Sequence, residues 1–202
     1  MTSILGLICE AIAPRSRTRP QKPIPYCTMD PWVFFEFGFE NGPTMERIEA
    51  RLDHKASPKL VNNFVSLCKG DGPNLENGIE SCFKGSPLFT VDSQRGIITT
   101  GDYINKNGSG GRAATTRGFI REEVVPTGSA KAGSIIMLPN NTDATIYDSI
   151  FCILTQDVPY IEGRVMGKVT TGLDTLQYIV WKYGHWTGIP KENLVILNCG
   201  QL

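Results

Sequence analysis

The sequence has no surplus of charge of either sign. Lysine plus arginine total 20 and aspartate plus glutamate total 20 in 202 residues, so the formal net charge is zero. Binding a phosphate backbone rewards a clustered basic excess, and its lack excludes nucleic acid as the primary partner. Histidine is scarce, with only His54 and His185. Neither accompanies a cysteine pair, and the six cysteines (Cys9, Cys27, Cys68, Cys82, Cys152, Cys199) contain no C-x-x-C spacing, which excludes a zinc site. No His/Cys/Asp arrangement suited to nucleophilic catalysis emerges either. Long apolar runs are missing as well. The stretch from Ile4 to Ala13 is interrupted by Glu10, and it falls short of the roughly 20 residues that a membrane-spanning helix needs. No cofactor motif is present: the glycine-rich run Asn107-Gly108-Ser109-Gly110-Gly111 lacks a following lysine and helix, so it reads as a turn rather than a phosphate cradle.

What is there suits one globular domain, with 41% hydrophobic and 20% charged residues. Cys68, Cys152 and Cys199 sit in apolar patterns, where free cysteine behaves as a small buried hydrophobe. With the chain's size and spacing, this favours the reduced thiols of cytoplasm or nucleus over a disulfide framework. Mitochondrial import, for which Arg15, Arg17 and Arg19 speak, ranks below that reading. Residues 1–13 lack the early positive charge of a signal peptide.

Residues 1–28 read as a tail. Pro14, Pro20, Pro23 and Pro25, mixed with Arg15, Arg17, Arg19 and Lys22, form an extended spacer. Ahead of it, Ile4, Leu5, Leu7, Ile8, Ala11 and Ile12 place one apolar face on a short helix over residues 3–13. A helix that short is marginal in water, so it is expected to order only on docking into a larger assembly.

The compact domain is expected over residues 30–202. Trp32 to Phe37 reads as a strand, Glu40-Asn41-Gly42-Pro43 as a turn, and Met45 to Leu52 as the second arm of a hairpin. Ser57 and Pro58 open a helix whose Val61, Phe64, Val65 and Cys68 share a face, and Gly70 ends it. From Asp71 to Val125 frequent glycine predicts irregular loops and brief strands. Strands resume at Gly133–Leu138, Ser149–Thr155 and Arg164–Val169, a second helix is expected over Gly172–Tyr183, and Leu194–Asn198 closes the domain. Many strands with one early and one late helix predict a barrel or sandwich capped by helices.

Several short motifs recur in an order that resembles the cyclophilin family of peptidyl-prolyl isomerases. They are Val33-Phe34-Phe35-Glu36, the run Ser57-Pro58-Lys59-Leu60-Val61-Asn62-Asn63-Phe64, Phe83-Lys84-Gly85-Ser86-Pro87, Gly101-Asp102-Tyr103, Asn107 to Gly111, Gly167-Lys168-Val169, and Asn198-Cys199-Gly200-Gln201-Leu202. The resemblance spans about Pro31 to Leu202 and implies a mainly β fold: an eight-stranded antiparallel closed barrel capped by two α-helices. It also implies a proline-containing peptide or protein as partner, and catalysis without cofactor or metal. The family's enzymes twist a prolyl amide whose rotation barrier is about 18–20 kcal/mol, using an arginine beside the proline and an apolar pocket.

The resemblance is weakest at that arginine. Counting back from Gly101-Asp102, the arginine place falls on Val91, the pocket phenylalanine on Gly96, the pocket methionine on Ile97 and the substrate-binding glutamine on Thr99. One extra residue is assigned to Leu88, ahead of the stretch, and Arg95 is the weaker alternative as a substitute cation, four residues later on a different part of the strand entry. The family's second pocket strand resembles Asp148 to Cys152, with Phe151 at the pocket floor and Ser149 in a glutamine's place. Tyr160 and Ile161 take the places of a tryptophan and a leucine, while Leu138, Pro139 and Asn140 fall on the neighbouring groove. These substitutions predict a domain with impaired or lost isomerase activity that serves as a protein-binding or structural module. The alternative is a working isomerase with an altered pocket.

Overall fold

A computed structural model describes residues 29–75, 78–124 and 128–202. The expected helix over residues 3–13 and its spacer lie outside the described residues, as do Cys9 and Cys27. In chain order the elements are β1 (Trp32–Phe39), β2 (Ile48–Leu52), α1 (Pro58–Lys69), β3 (Thr90–Asp92), β4 (Ile97–Thr100), β5 (Ile120–Arg121) and β6 (Gly128–Ala130). They continue with β7 (Ser134–Asn140), β8 (Asp143–Leu154), β9 (Val158–Ile161), β10 (Arg164–Thr171), α2 (Leu173–Tyr183) and β11 (Leu194–Gln201).

Helix α1 begins where its side chains direct it to. Ser57 Oγ accepts the Leu60 N–H, Pro58 occupies the first turn, and Gly70 ends the helix in the left-handed region at φ +70°. Two expected strands change length. The arm expected from Met45 starts at Ile48. The strand expected from Ser149 is the second half of the twelve-residue β8. Its first half forms because Asn140 Oδ1 accepts both the N–H and the hydroxyl of Thr142, at 2.9 and 2.6 Å, folding the chain into a tight turn. Asp143 then pairs with Asn140.

The strands form one curled antiparallel sheet in the order β11-β1-β2-β10-β7-β8-β4-β3, with β5 added to β8 and a separate β6–β9 pair. The expected closed barrel is therefore only partly closed. The outer edge of β3 bonds to the turn after α2, through Val91 N–H to Gly188 O at 2.8 Å and His185 N–H to Val91 O at 3.0 Å. Closure onto β11 falls instead to the segment before β3, where Gly85 N–H reaches Ile196 O, Ile196 N–H reaches Ser86 O and Leu88 N–H reaches Leu194 O, at 2.7, 2.9 and 2.8 Å.

Four buried rings fill the interior. Phe151 lies 4.8 Å from Phe64 and 4.9 Å from Phe83, centroid to centroid, and 5.8 Å from Phe35. Helix α1 covers one end with Leu60, Val61, Phe64 and Leu67, and α2 buries Leu176, Ile179 and Val180. Among the described residues no helix is long and apolar enough to cross a membrane.

Candidate functional site

Strand alternation decides which residues face the interior and which face outward. On β3, Val91 points inward and is completely buried, while Thr90 and Asp92 line a groove on the outer surface. On β4, Ile98 packs in the interior cluster, and Ile97 and Thr99 line the groove. On β8, Phe151 and Ile153 face inward and Cys152 faces the groove. Strand β7 contributes Leu138, and Tyr160, Ile161 and Glu162 complete the opposite wall. The enclosed volume is about 320 Å³. A second cavity of about 350 Å³ adjoins it, lined by Leu138, Pro139, Asn140 and the Asn141–Ala144 turn. Leu138 and Glu162 belong to both and form the sill between them.

The structure thus brings Ile97, Thr99, Leu138, Tyr160 and Ile161 together in one groove and Pro139 and Asn140 in the next. Four other expected site residues lie away from this groove. Val91 is an interior residue, and Thr90, which pairs with Thr99 across the β3–β4 ladder, takes its place on the outer face. Phe151 does not line this groove but belongs to the interior ring cluster. Gly96 supplies no wall. It sits in the hairpin turn at φ +62°, where a Cβ would lie 2.6 Å from Gln156 Cγ and 2.7 Å from Thr155 Oγ1. Ser149 is fully buried, donating to Gly101 O at 2.7 Å and accepting the Arg112 N–H at 3.1 Å, so it fixes the loop behind the groove.

The two differences of face arise separately, one on β3 and one on β8. In the β3–β4 turn Asp92 Oδ1 accepts the N–H groups of Gln94 and Arg95 at 2.9 and 3.0 Å, and Gln156 Nε2 donates to Gln94 O at 2.8 Å. On β3 Leu88 lies inside and Thr90 lines the groove, and on β8 Cys152 rather than Phe151 does so. Period-two alternation around Val91 and Phe151 would have exposed both slips.

Arg95, the alternative cation, lines the groove, and its Nη2 donates to Tyr160 O at 3.4 Å. It shares the groove with the carboxylates of Asp92 and Glu162 and is the only cation among the described residues that line it. The floor is apolar: Cys152 is buried with Ile97, Ile136 and Ile161 in a cluster separate from the barrel interior. Burial pushes the Cys152 thiol up to about 12, so it offers no nucleophile at neutral pH. Tyr160 stands 64% exposed at the rim.

Behind the groove the loop after β4 is anchored by buried polar groups. Asp102, fully buried, accepts N–H groups from Ile104, Asn105, Asn107, Gly108 and Gly110 at 2.8 to 3.1 Å. Burial alone would raise its carboxyl, but the backbone amides outweigh burial and hold it below the ordinary value of 3.8. From α1, the buried Asn63 donates to Asp148 O at 2.9 Å and accepts the Ala114 N–H at 2.7 Å. The run Asn107 to Gly111, singled out as a turn, is therefore a wrap around one carboxylate.

A family model described as cyclophilin type peptidyl-prolyl cis-trans isomerase/CLD matches residues 37–201. The chain is also similar to Peptidyl-prolyl cis-trans isomerase CYP21-1 of Arabidopsis thaliana. The two are 29% identical over 172 residues, covering 84% of this chain and 75% of that protein.

Proposed function

Because the chain belongs to the cyclophilin-type peptidyl-prolyl cis-trans isomerase family, we propose that its groove holds a proline-containing segment of a partner protein while accelerating prolyl rotation little. The observation that carries this reading is the pairing of Thr90 with Thr99, two short hydroxyl side chains where the family's arginine and glutamine would stand. A twisted prolyl amide is favoured when a charged donor is aimed at it. Loss of one preorganised donor typically costs about 3–4 kcal/mol, or 10² to 10³ in rate. The apolar floor of Ile97, Cys152 and Ile161 still offers a proline ring desolvation without that donor. In this reading the domain is a binding or structural module of the cytoplasm or nucleus, with residues 1–28 as the link to a larger assembly. No nucleophile, metal or cofactor takes part in a rotation of this kind.

NMR exchange spectroscopy on a short proline peptide tests the reading. Line broadening or shifts at the proline should report binding, with interconversion within about tenfold of the uncatalysed rate. Exchange comparable to that of an active cyclophilin would overturn it. Thr90→Arg should restore at least tenfold in kcat/KM, and failure to do so would show that more than the missing charge limits turnover.

The position of Arg95 favours a second reading, a working isomerase whose cation comes from the turn. Arg95→Ala decides between them: a drop in exchange rate of more than tenfold supports the second reading, and an unchanged rate the first.

A further inference from the structure

The seam that closes the barrel places two thiols opposite each other. The segment before β3 runs antiparallel to β11, as the Gly85 N–H to Ile196 O and Leu88 N–H to Leu194 O bonds show. Cys82 lies three residues before Gly85, and Cys199 three residues after Ile196. Between Cys82 and the seam the chain makes a turn, with Ser86 N–H on Phe83 O at 3.0 Å, and this turn brings Cys82 beside the end of β11, where its side chain and that of Cys199 hydrogen-bond. Both are half-buried and free, so a small solute reaches them, whereas the neighbouring Cys68 is sealed beneath α1 at 1% exposure.

We propose that Cys82 and Cys199 form a reversible thiol oxidation site that takes a low-molecular-weight disulfide as its reactant and closes the barrel seam covalently. Cys82 attacks and Cys199 resolves. The Cys199 thiol donates its hydrogen bond to Cys82, the Lys84 backbone N–H adds a second at 3.4 Å, and together they bring the Cys82 thiol down to about 6 against burial and the nearby Glu80 carboxylate. Cys199, as the donor, is pushed up. At neutral pH the pair thus holds one thiolate and one thiol.

The Cys82 thiolate attacks one sulfur of the small disulfide, forming a mixed disulfide and expelling the other half as a thiolate, which takes up a proton. Cys199 then loses its proton to solvent and attacks Cys82 Sγ, forming the Cys82–Cys199 bond and releasing the second small thiol. Two protein thiols are oxidised and one disulfide is reduced to two thiols. The cross-link joins distant parts of the chain, so it restricts the unfolded ensemble strongly and should raise thermal stability. This site is independent of the groove, and its test does not depend on isomerase activity.

The full chain, reduced and then exposed to oxidised glutathione at pH 7, is digested without reductant and mapped by mass spectrometry. A peptide joining Cys82 to Cys199 is expected, together with a thermal transition raised by several degrees and restored by dithiothreitol. Cys199→Ser should trap glutathione on Cys82, and Cys82→Ser should leave Cys199 unmodified. A wild-type map with no cross-link, with glutathione left on Cys82, or with Cys68, Cys9 or Cys27 in the bridge would overturn the proposal. The decisive map is made on the wild-type chain, so it stands whether or not either variant folds.

Discussion

The inner and outer faces of β3, β4 and β8 are built from the same backbone and obey different rules. Inside, Val91, Ile98 and Phe151 join a ring cluster in which each side chain is completely enclosed. Outside, Thr90, Thr99 and Cys152 are short, and the space that longer side chains would occupy is left as an open groove. Behind both, Asp102, Asn63 and Ser149 have their hydrogen-bonding capacity taken up by backbone. Packing and buried polar satisfaction restrict the first and third regions tightly. The groove face is restricted only by what it must bind. Family resemblance is accordingly dense in the scaffold and sparse on the groove face.

Mutations on neighbouring positions of one strand test that contrast. The largest effect is expected from Val91→Arg, which drives a charge into the interior and should cost more than about 4 kcal/mol or abolish folding. Thr90→Arg, one residue away, should stay within about 1 kcal/mol of wild type in urea unfolding. Equal tolerance at the two positions would break the comparison. Next, Phe151→Ala should cost about 4 kcal/mol, against about 1 kcal/mol for Cys152→Ala. Asp102→Ala strips five N–H groups of their acceptor and should cost about 3 kcal/mol. Its pH dependence sharpens the point. The folded Asp102 carboxyl is held below its ordinary value of 3.8, so its contribution is complete above that value and disappears as pH falls through the lower, folded one. The gap between wild type and Asp102→Asn in thermal melts should therefore be constant from pH 7 to 5 and narrow below pH 4. The smallest effect is expected from Arg95→Ala, within about 0.5 kcal/mol of wild type, because its guanidinium meets only a carbonyl at the rim.

The sequence made the scaffold legible because its devices are local. The Ser57–Pro58 start and Gly70 stop of α1 follow from capping chemistry over a few residues, and the apolar spacing of α2 reports its buried face. The groove depends on register, which is not local. Counting from Gly101-Asp102 reached Thr99 and Ile97, and both line the groove. Beyond Gly96 the count crossed the β3–β4 turn, and there the structure puts Thr90 rather than Val91 on the groove face. The inclusion of Arg95 in the groove could not be read from spacing, since it follows from the turn held by Asp92. The facing of Cys82 and Cys199 was equally hidden. It is a contact between segments far apart in sequence.

The seam also has a kinetic meaning. The β3–β4 hairpin joins residues that are neighbours in sequence, so it can close early and independently. Leu88 and Leu194 are about a hundred residues apart, and their hydrogen bond forms only after the intervening chain has been gathered, at an entropy cost that no local contact offsets. Joining the segment before β3 to β11 should therefore be among the last events of folding. In pulsed hydrogen exchange during refolding, the Gly85, Leu88 and Ile196 amides should gain protection after those of the β7–β8 pair.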